Sequence, residues 1–326
     1  LNTFVHFSFL NTAASPAGIA VIHSLFNIGA TILLFPFANL LEKMAILAIP
    51  DKGSEVEEME EEKINPDLAR LDERFLDKPG FAMEECRGVA INMARKSKKA
   101  MNLAIDLLKE YDEKTSARVE KLENQIDQYE DALGTYLVKL SERDLSVKDS
   151  RILSVLLHCI GDFERISDHA VNIRDAAVEM NKKNLQFSDK AKQELLVFSN
   201  AIRDIIDRAV LAFETGDTGL AKEVEPLEQV VDALNKEEKQ RHINRLRTGT
   251  CTIELGFVLS DISTNFERAA DHCSNIAVCL LQVDEGGFDT HEYLDILKEE
   301  NSEEFRHEYM ELSEKYTLPE SKHGGK

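Results

Sequence analysis

The sequence predicts an all-α protein, with one C-terminal transmembrane helix of a membrane domain followed by two three-helix bundles in tandem. Three observations carry this prediction. Residues Leu1 to Leu41 contain no Asp, Glu, Lys or Arg. Beyond residue 80, apolar residues recur at three- and four-residue spacing over long stretches, which is the period of an amphipathic helix. A twelve-residue motif then returns about one hundred residues after its first appearance, at the spacing of duplicated domains rather than a solenoid.

Residues 1–48 are expected to end a membrane domain. Within them, 17–41 is longer than the roughly 20 apolar residues that cross a bilayer as a helix. His23 and Asn27 lie one turn apart in this apolar run and are expected to face protein or water rather than lipid. Opening on Leu1 rather than Met, the chain is expected to be a piece of a longer product. Residues 49–81 form an acidic linker, beginning with Ile49-Pro50-Asp51-Lys52-Gly53 and passing through the acidic run Glu55 to Glu62.

The first repeat, 82–182, is expected to hold three helices. They run from Ala82 to Tyr111, from Ser116 to Leu140 with the stripe Val119, Leu122, Ile126, Leu133 and Leu137, and from Lys148 to Met180. The second repeat, 189–283, repeats the plan over Asp189 to Thr215, Thr218 to Leu246 and Thr250 to Gln282. Short connections favour antiparallel neighbours. Residues 284–326 are an acidic tail, with one further helix expected between Tyr293 and Tyr316.

The chain carries 60 acidic against 39 basic residues, a formal charge of −21. That balance excludes a nucleic-acid partner, which needs a basic footprint, and favours cations. The five cysteines form no Cys-x-x-Cys pair, so a disulfide framework or thiolate zinc site is not expected and a reducing compartment fits. No nucleophile–base arrangement, phosphate-cradling glycine loop or nucleotide fingerprint is present, so the chain does not read as an enzyme.

The recurring motif is Asp162-Phe-Glu164-Arg165-Ile-Ser-Asp168-His169-Ala-Val-Asn172-Ile173, which returns as Asn265-Phe-Glu267-Arg268-Ala-Ala-Asp271-His272-Cys-Ser-Asn275-Ile276. On the preceding helices, Glu123 and Asp127 recur as Glu228 and Asp232. Each repeat thus carries two Glu-x-x-x-Asp pairs. Residues four apart share one helix face, where like charges repel by a few tenths of a kcal/mol. Four such pairs at matching places suggest that a cation cancels the repulsion. Glu123, Asp127, Glu164, Asp168, Glu228, Asp232, Glu267 and Asp271 are therefore the candidate metal ligands. Oxygen-only donors suit iron, manganese, magnesium or calcium better than zinc. Asn172 and Asn275, one turn beyond the aspartates, are weaker ligand candidates, and Arg165 and Arg268 are expected to pair locally with the acids. His169 and His272 project some 100° away from those aspartates and rank below the asparagines.

Phe163 to Ile173, and its second copy, resemble the signature of PhoU proteins. That resemblance implies tandem three-helix bundles, metal clusters held by the acidic pairs, and a part in phosphate regulation. Ala20-Val-Ile-His23-Ser-Leu-Phe26-Asn27 with Leu34-Phe35-Pro36-Phe37 resembles the last membrane helix of sodium-dependent phosphate cotransporters related to the type II carriers, and Leu71 to Leu76 resembles their connector. This second resemblance implies a C-terminal fragment of a sodium:phosphate symporter with a cytoplasmic regulatory domain. Its partners would be inorganic phosphate, sodium and the lipid bilayer, with a homo-oligomer as a further expectation. It would lie in the bacterial inner membrane, with residues 50–326 in the cytoplasm. The Gln-Ser-Ser repeats of that family's transport site are absent from the chain. Two alternatives accompany this reading: a membrane-anchored PhoU-type phosphate-signalling regulator without transport activity, and a structural oligomerisation bundle.

Overall fold

The computed structural model describes residues 65–285 and 303–319, together with Ser24, residues 26–29 and Thr31. The candidate membrane helix over 17–41 and the acidic run in 49–63 lie outside the described residues, apart from those few positions. Among the described residues, no helix is long and apolar enough to cross a membrane. The chain divides into a unit over Leu1–Lys63 and a unit over Ile64–Lys326, and the second carries both repeats.

Its helices are α1 (Pro79–Leu107), α2 (Glu113–Ser141), α3 (Val147–Lys182), α4 (Asp189–Thr215), α5 (Thr218–Lys222), α6 (Val224–Arg247), α7 (Ile253–Glu285) and α8 (Glu303–Lys315). Two short 3-10 turns, Leu68–Arg70 and Glu73–Asp77, precede α1. The breaks are chemically marked. Asp112, Ser146 and Ser188 each accept a backbone N–H of the helix that follows, which satisfies a donor left orphaned in the first turn. Gly216 ends α4 at φ +68, a left-handed conformation that glycine takes without steric cost.

Helices α1, α2 and α3 pack on one another, and α4, α6 and α7 do the same. The helix expected over Thr218 to Leu246 is interrupted at Glu223 and resumes as α6. Pro226 sits in the first turn of α6, where its missing N–H is tolerated but would break a continuous ladder. The helix expected between Tyr293 and Tyr316 is described from Glu303 as α8, which packs along α6 and is tied to α4 by Tyr316 Oη donating to Asp204 at 2.8 Å. The connector is bound to the first repeat, with Tyr136 Oη donating to the Asp72 carbonyl at 2.9 Å and Arg70 Nε to Glu85 at 2.6 Å.

The long helices α3 and α7 form the seam between repeats and run antiparallel, since Asp162 meets His272 while Lys183, at the other end, meets Glu254. The two motif phenylalanines lie in this core, and both meet α4 edge-to-face: Phe163 on Phe213 with centroids 4.9 Å apart, and Phe266 on Phe198 at 5.2 Å. Cys86, Cys159 and Cys273 are fully buried among apolar side chains, as small hydrophobes.

Candidate metal centre

In the first repeat α2 and α3 lie side by side. The period of the helix brings Glu123 and Asp127 onto one face of α2, and Asp168 faces them from α3. One oxygen from each of Glu123, Asp127 and Asp168 lies within 4.8 Å of the others. Glu164 lies one helical turn before Asp168 on α3, and Arg165 reaches both. The electrostatic signature is that of negative charge gathered faster than it is neutralised. Partial burial, then Asp127 and Asp168, raise the Glu123 carboxyl above its ordinary range. Asp127 is raised by burial, Asp168 and Asp131. Glu164 is pushed up to about 7 by burial and Asp168, with Arg165 pulling the other way. Arg165 is the local cation foreseen, 3.4 Å from both Glu164 and Asp168, and its side chain is largely exposed. Hard oxygen donors that crowd together with raised proton affinity fit a divalent or trivalent cation, because an ion supplies the charge that the protons otherwise provide.

The second repeat places its acids differently. Asp232 is engaged by Lys236 Nζ at 2.7 Å. Glu267 accepts from Asn235 Nδ2 and lies 3.6 Å from Lys239 Nζ. Asp271 is raised by burial and by Glu267 and Asp232. Glu228 and Asp232 line a concavity of about 360 Å³ with Lys236 and Tyr309 of α8. Among the described residues, only the first repeat brings three acidic side chains within ligand distance of one another.

Asn172 and Asn275 are drawn into a different network, together with both histidines. His169 donates from Nδ1 to Asn265 Oδ1 at 2.9 Å, and Asn172 Nδ2 donates to the same oxygen at 3.0 Å. Reciprocally, His272 Nδ1 donates to Asp162 Oδ1 at 2.8 Å, and Asn275 Nδ2 reaches it at 3.4 Å. The two imidazoles stack between these pairs, with centroids 5.5 Å apart and planes at 25°. Burial, then His272 and Arg268, lower the proton affinity of His169. Each repeat thus presents its His and Asn to the first residue of the other repeat's motif. Asp162, Asn265 and Asp131 were not among the candidates read from spacing. Asp131 was signalled by lying four residues beyond Asp127, and the other two by standing at the same place in both copies of the motif.

This chain is similar to known proteins over the same helices. It is 23% identical over 188 residues to the phosphate-specific transport system accessory protein PhoU homolog 1 of Thermotoga maritima, covering 57% of this chain and 80% of the relative. It is 23% identical over 219 residues to the PhoU homolog of Pseudomonas aeruginosa, covering 67% and 90%. The crystal structure of PhoU from Pseudomonas aeruginosa aligns with a TM-score of 0.59 at 22% identity, over 62% of this chain and 97% of that one. The phosphate transport system regulatory protein PhoU from Streptococcus pneumoniae aligns with a TM-score of 0.58 at 17% identity, over 65% and 99%. The PhoU domain profile matches residues 90–177 and 195–280, more than half of the chain. With two such matches over two copies of one three-helix plan, the chain belongs to the PhoU domain family.

Proposed function

We propose that this chain is a PhoU-type regulator of phosphate transport that works by binding a cation, and that it is neither an enzyme nor itself the carrier. The observation that carries the reading is the convergence of Glu123, Asp127 and Asp168 on one point of a PhoU frame. The relatives named above are accessory proteins of phosphate transport, which supports the regulator over the symporter fragment. The donors would be Glu123, Asp127 and Asp168, with Glu164 beside them, and the ion would be magnesium, calcium, manganese or iron. When bound, the ion supplies positive charge that holds α2 to α3. Glu164 would release its proton to water as the cation replaced it, and Arg165 limits the repulsion among the acids. Membrane attachment through residues 17–41, with residues 50–326 in the cytoplasm, belongs to the same reading.

The test is uptake of labelled phosphate into vesicles containing the complete gene product, with and without a sodium gradient. No sodium-dependent uptake is expected from folded, inserted protein. Sodium-driven uptake would return the symporter reading. The cation part is tested separately, by adding manganese or iron to metal-stripped protein and watching for thermal stabilisation.

A further inference from the structure

The offset that aligns Glu123 and Asp127 with Glu228 and Asp232 also aligns their neighbours. Asp131 of α2 corresponds to Lys236 of α6, Glu130 to Asn235, and Gly134 to Lys239. The first repeat therefore extends its acidic ladder by a further carboxylate, and Asp131 adds to the repulsion on Asp127. The second repeat places an ammonium where Asp131 stands. It places a second ammonium at the glycine position, and a neutral amide at Glu130. All three reach the acids: Lys236 meets Asp232, while Lys239 and Asn235 meet Glu267. The two helices whose carboxylates would share an ion in the second repeat, α6 and α7, are thus each already paired.

We propose that Lys236 and Lys239 are tethered cations that occupy the ion's role in the second repeat, so that the chain takes metal through its first repeat alone. The proposal rests on the reading of the first repeat as a cation site, and extends it by assigning the two halves different chemistry. An ion entering the second repeat would have to displace two ammoniums and lose an amide partner, without the added negative charge that Asp131 places near Asp127 in the first. Charge reversal at a single helical position is the kind of repulsive element that removes binding from an otherwise matching frame.

The experiment loads the full chain with manganese(II), removes free ion, and counts bound manganese by elemental analysis with helicity checked by circular dichroism. Asp127→Asn with Asp168→Asn is expected to abolish binding, and Asp232→Asn with Asp271→Asn to leave it unchanged. Lys236→Asp with Lys239→Gly is expected to add a second complement of manganese. Lys236→Gln with Lys239→Gln removes only the positive charges; it is expected to move binding the same way and serves if the first lysine variant loses helicity. Loss of manganese from the Asp232/Asp271 variant, or no gain in either lysine variant, overturns the proposal. A parent chain that takes no manganese but gains it on lysine replacement would sink the first-repeat reading and leave the lysine assignment standing.

Discussion

His272 donates to Asp162 at 2.8 Å across the seam between the repeats, and at the mirror position His169 donates to Asn265, an amide instead of a carboxylate. The duplicated motif is therefore a reciprocal clasp as well as a set of acids. Removing its acceptor should cost more than changing it. Asp162→Ala leaves His272 and Asn275 facing no acceptor in a partly buried position, and is expected to lower stability by about 1–3 kcal/mol. Asp162→Asn, which copies Asn265, is expected to cost less. Urea unfolding of both variants checks the order; equal losses would remove the clasp as a stabilising element.

The first-repeat acids give a pH dependence. Glu164 titrates at about 7 in the folded chain, above its ordinary 4.5. A carboxyl raised on folding holds its proton longer in the native state. Its favourable contribution is complete below the unfolded value and is lost as pH rises from about 4.5 through about 7. In metal-free protein, stability is expected to decline over that window, and Glu164→Gln to flatten the decline. Metal must displace the same proton, so manganese affinity is expected to fall as pH drops below about 7. Titration of manganese across that range checks it, and a pH-independent affinity would exclude Glu164 from the site.

A second polar cluster should carry stability rather than binding. Glu194 is 7% exposed in its side chain and bridges Arg241, at 2.9 Å, and Arg245. Arg245 also meets Glu238, which accepts from Ser263 Oγ at 3.0 Å. This network ties α4, α6 and α7. Glu194→Ala strands charge in a desolvated place and is expected to cost roughly 3 kcal/mol. By contrast, Glu179→Ala breaks the exposed pair with Lys183 and is expected to cost under about 1 kcal/mol. Thermal unfolding of the two variants separates them.

Two glycines that look alike in sequence should respond differently to alanine. A Cβ at Gly256 would sit 2.6 Å from Nε2 of His242, a buried ring whose two nitrogens have no partner. Gly256→Ala is expected to cost about 1–3 kcal/mol through overpacking, with part of the loss recovered in combination with His242→Ala. A Cβ at Gly88 would meet the end of the Arg70 side chain instead, at 2.6 Å. That guanidinium ends a long, part-exposed side chain tied to Glu85 at 2.6 Å, so Gly88→Ala is expected to shift this ion pair and cost about 1 kcal/mol, less than Gly256→Ala.

Much of the fold was legible in the residues. Apolar periodicity located the long helices to within a few positions, because a stripe such as Val119, Leu122, Ile126, Leu133 and Leu137 has one way to be buried. The break between α5 and α6 was missed, since the apolar pattern runs through it and only Pro226 marks it. At the site, the candidate ligands Glu123, Asp127 and Asp168 do come together. The asparagines, ranked as weaker ligands, sit instead in the clasp between repeats, because sharing a helix face with an aspartate does not decide which neighbouring helix that face meets.

The sequence by itself determined the helical class, the duplication and the identity of the acids, because these depend on periods and identities along one chain. Tertiary structure decided which acids meet each other and which meet a lysine. It also decided that each motif's His and Asn reach across to the other repeat. Those outcomes depend on how α2 faces α3, how α6 faces α7, and how α3 crosses α7. Electrostatic energy falls with the distance between groups in space, and separation along the chain does not supply that distance.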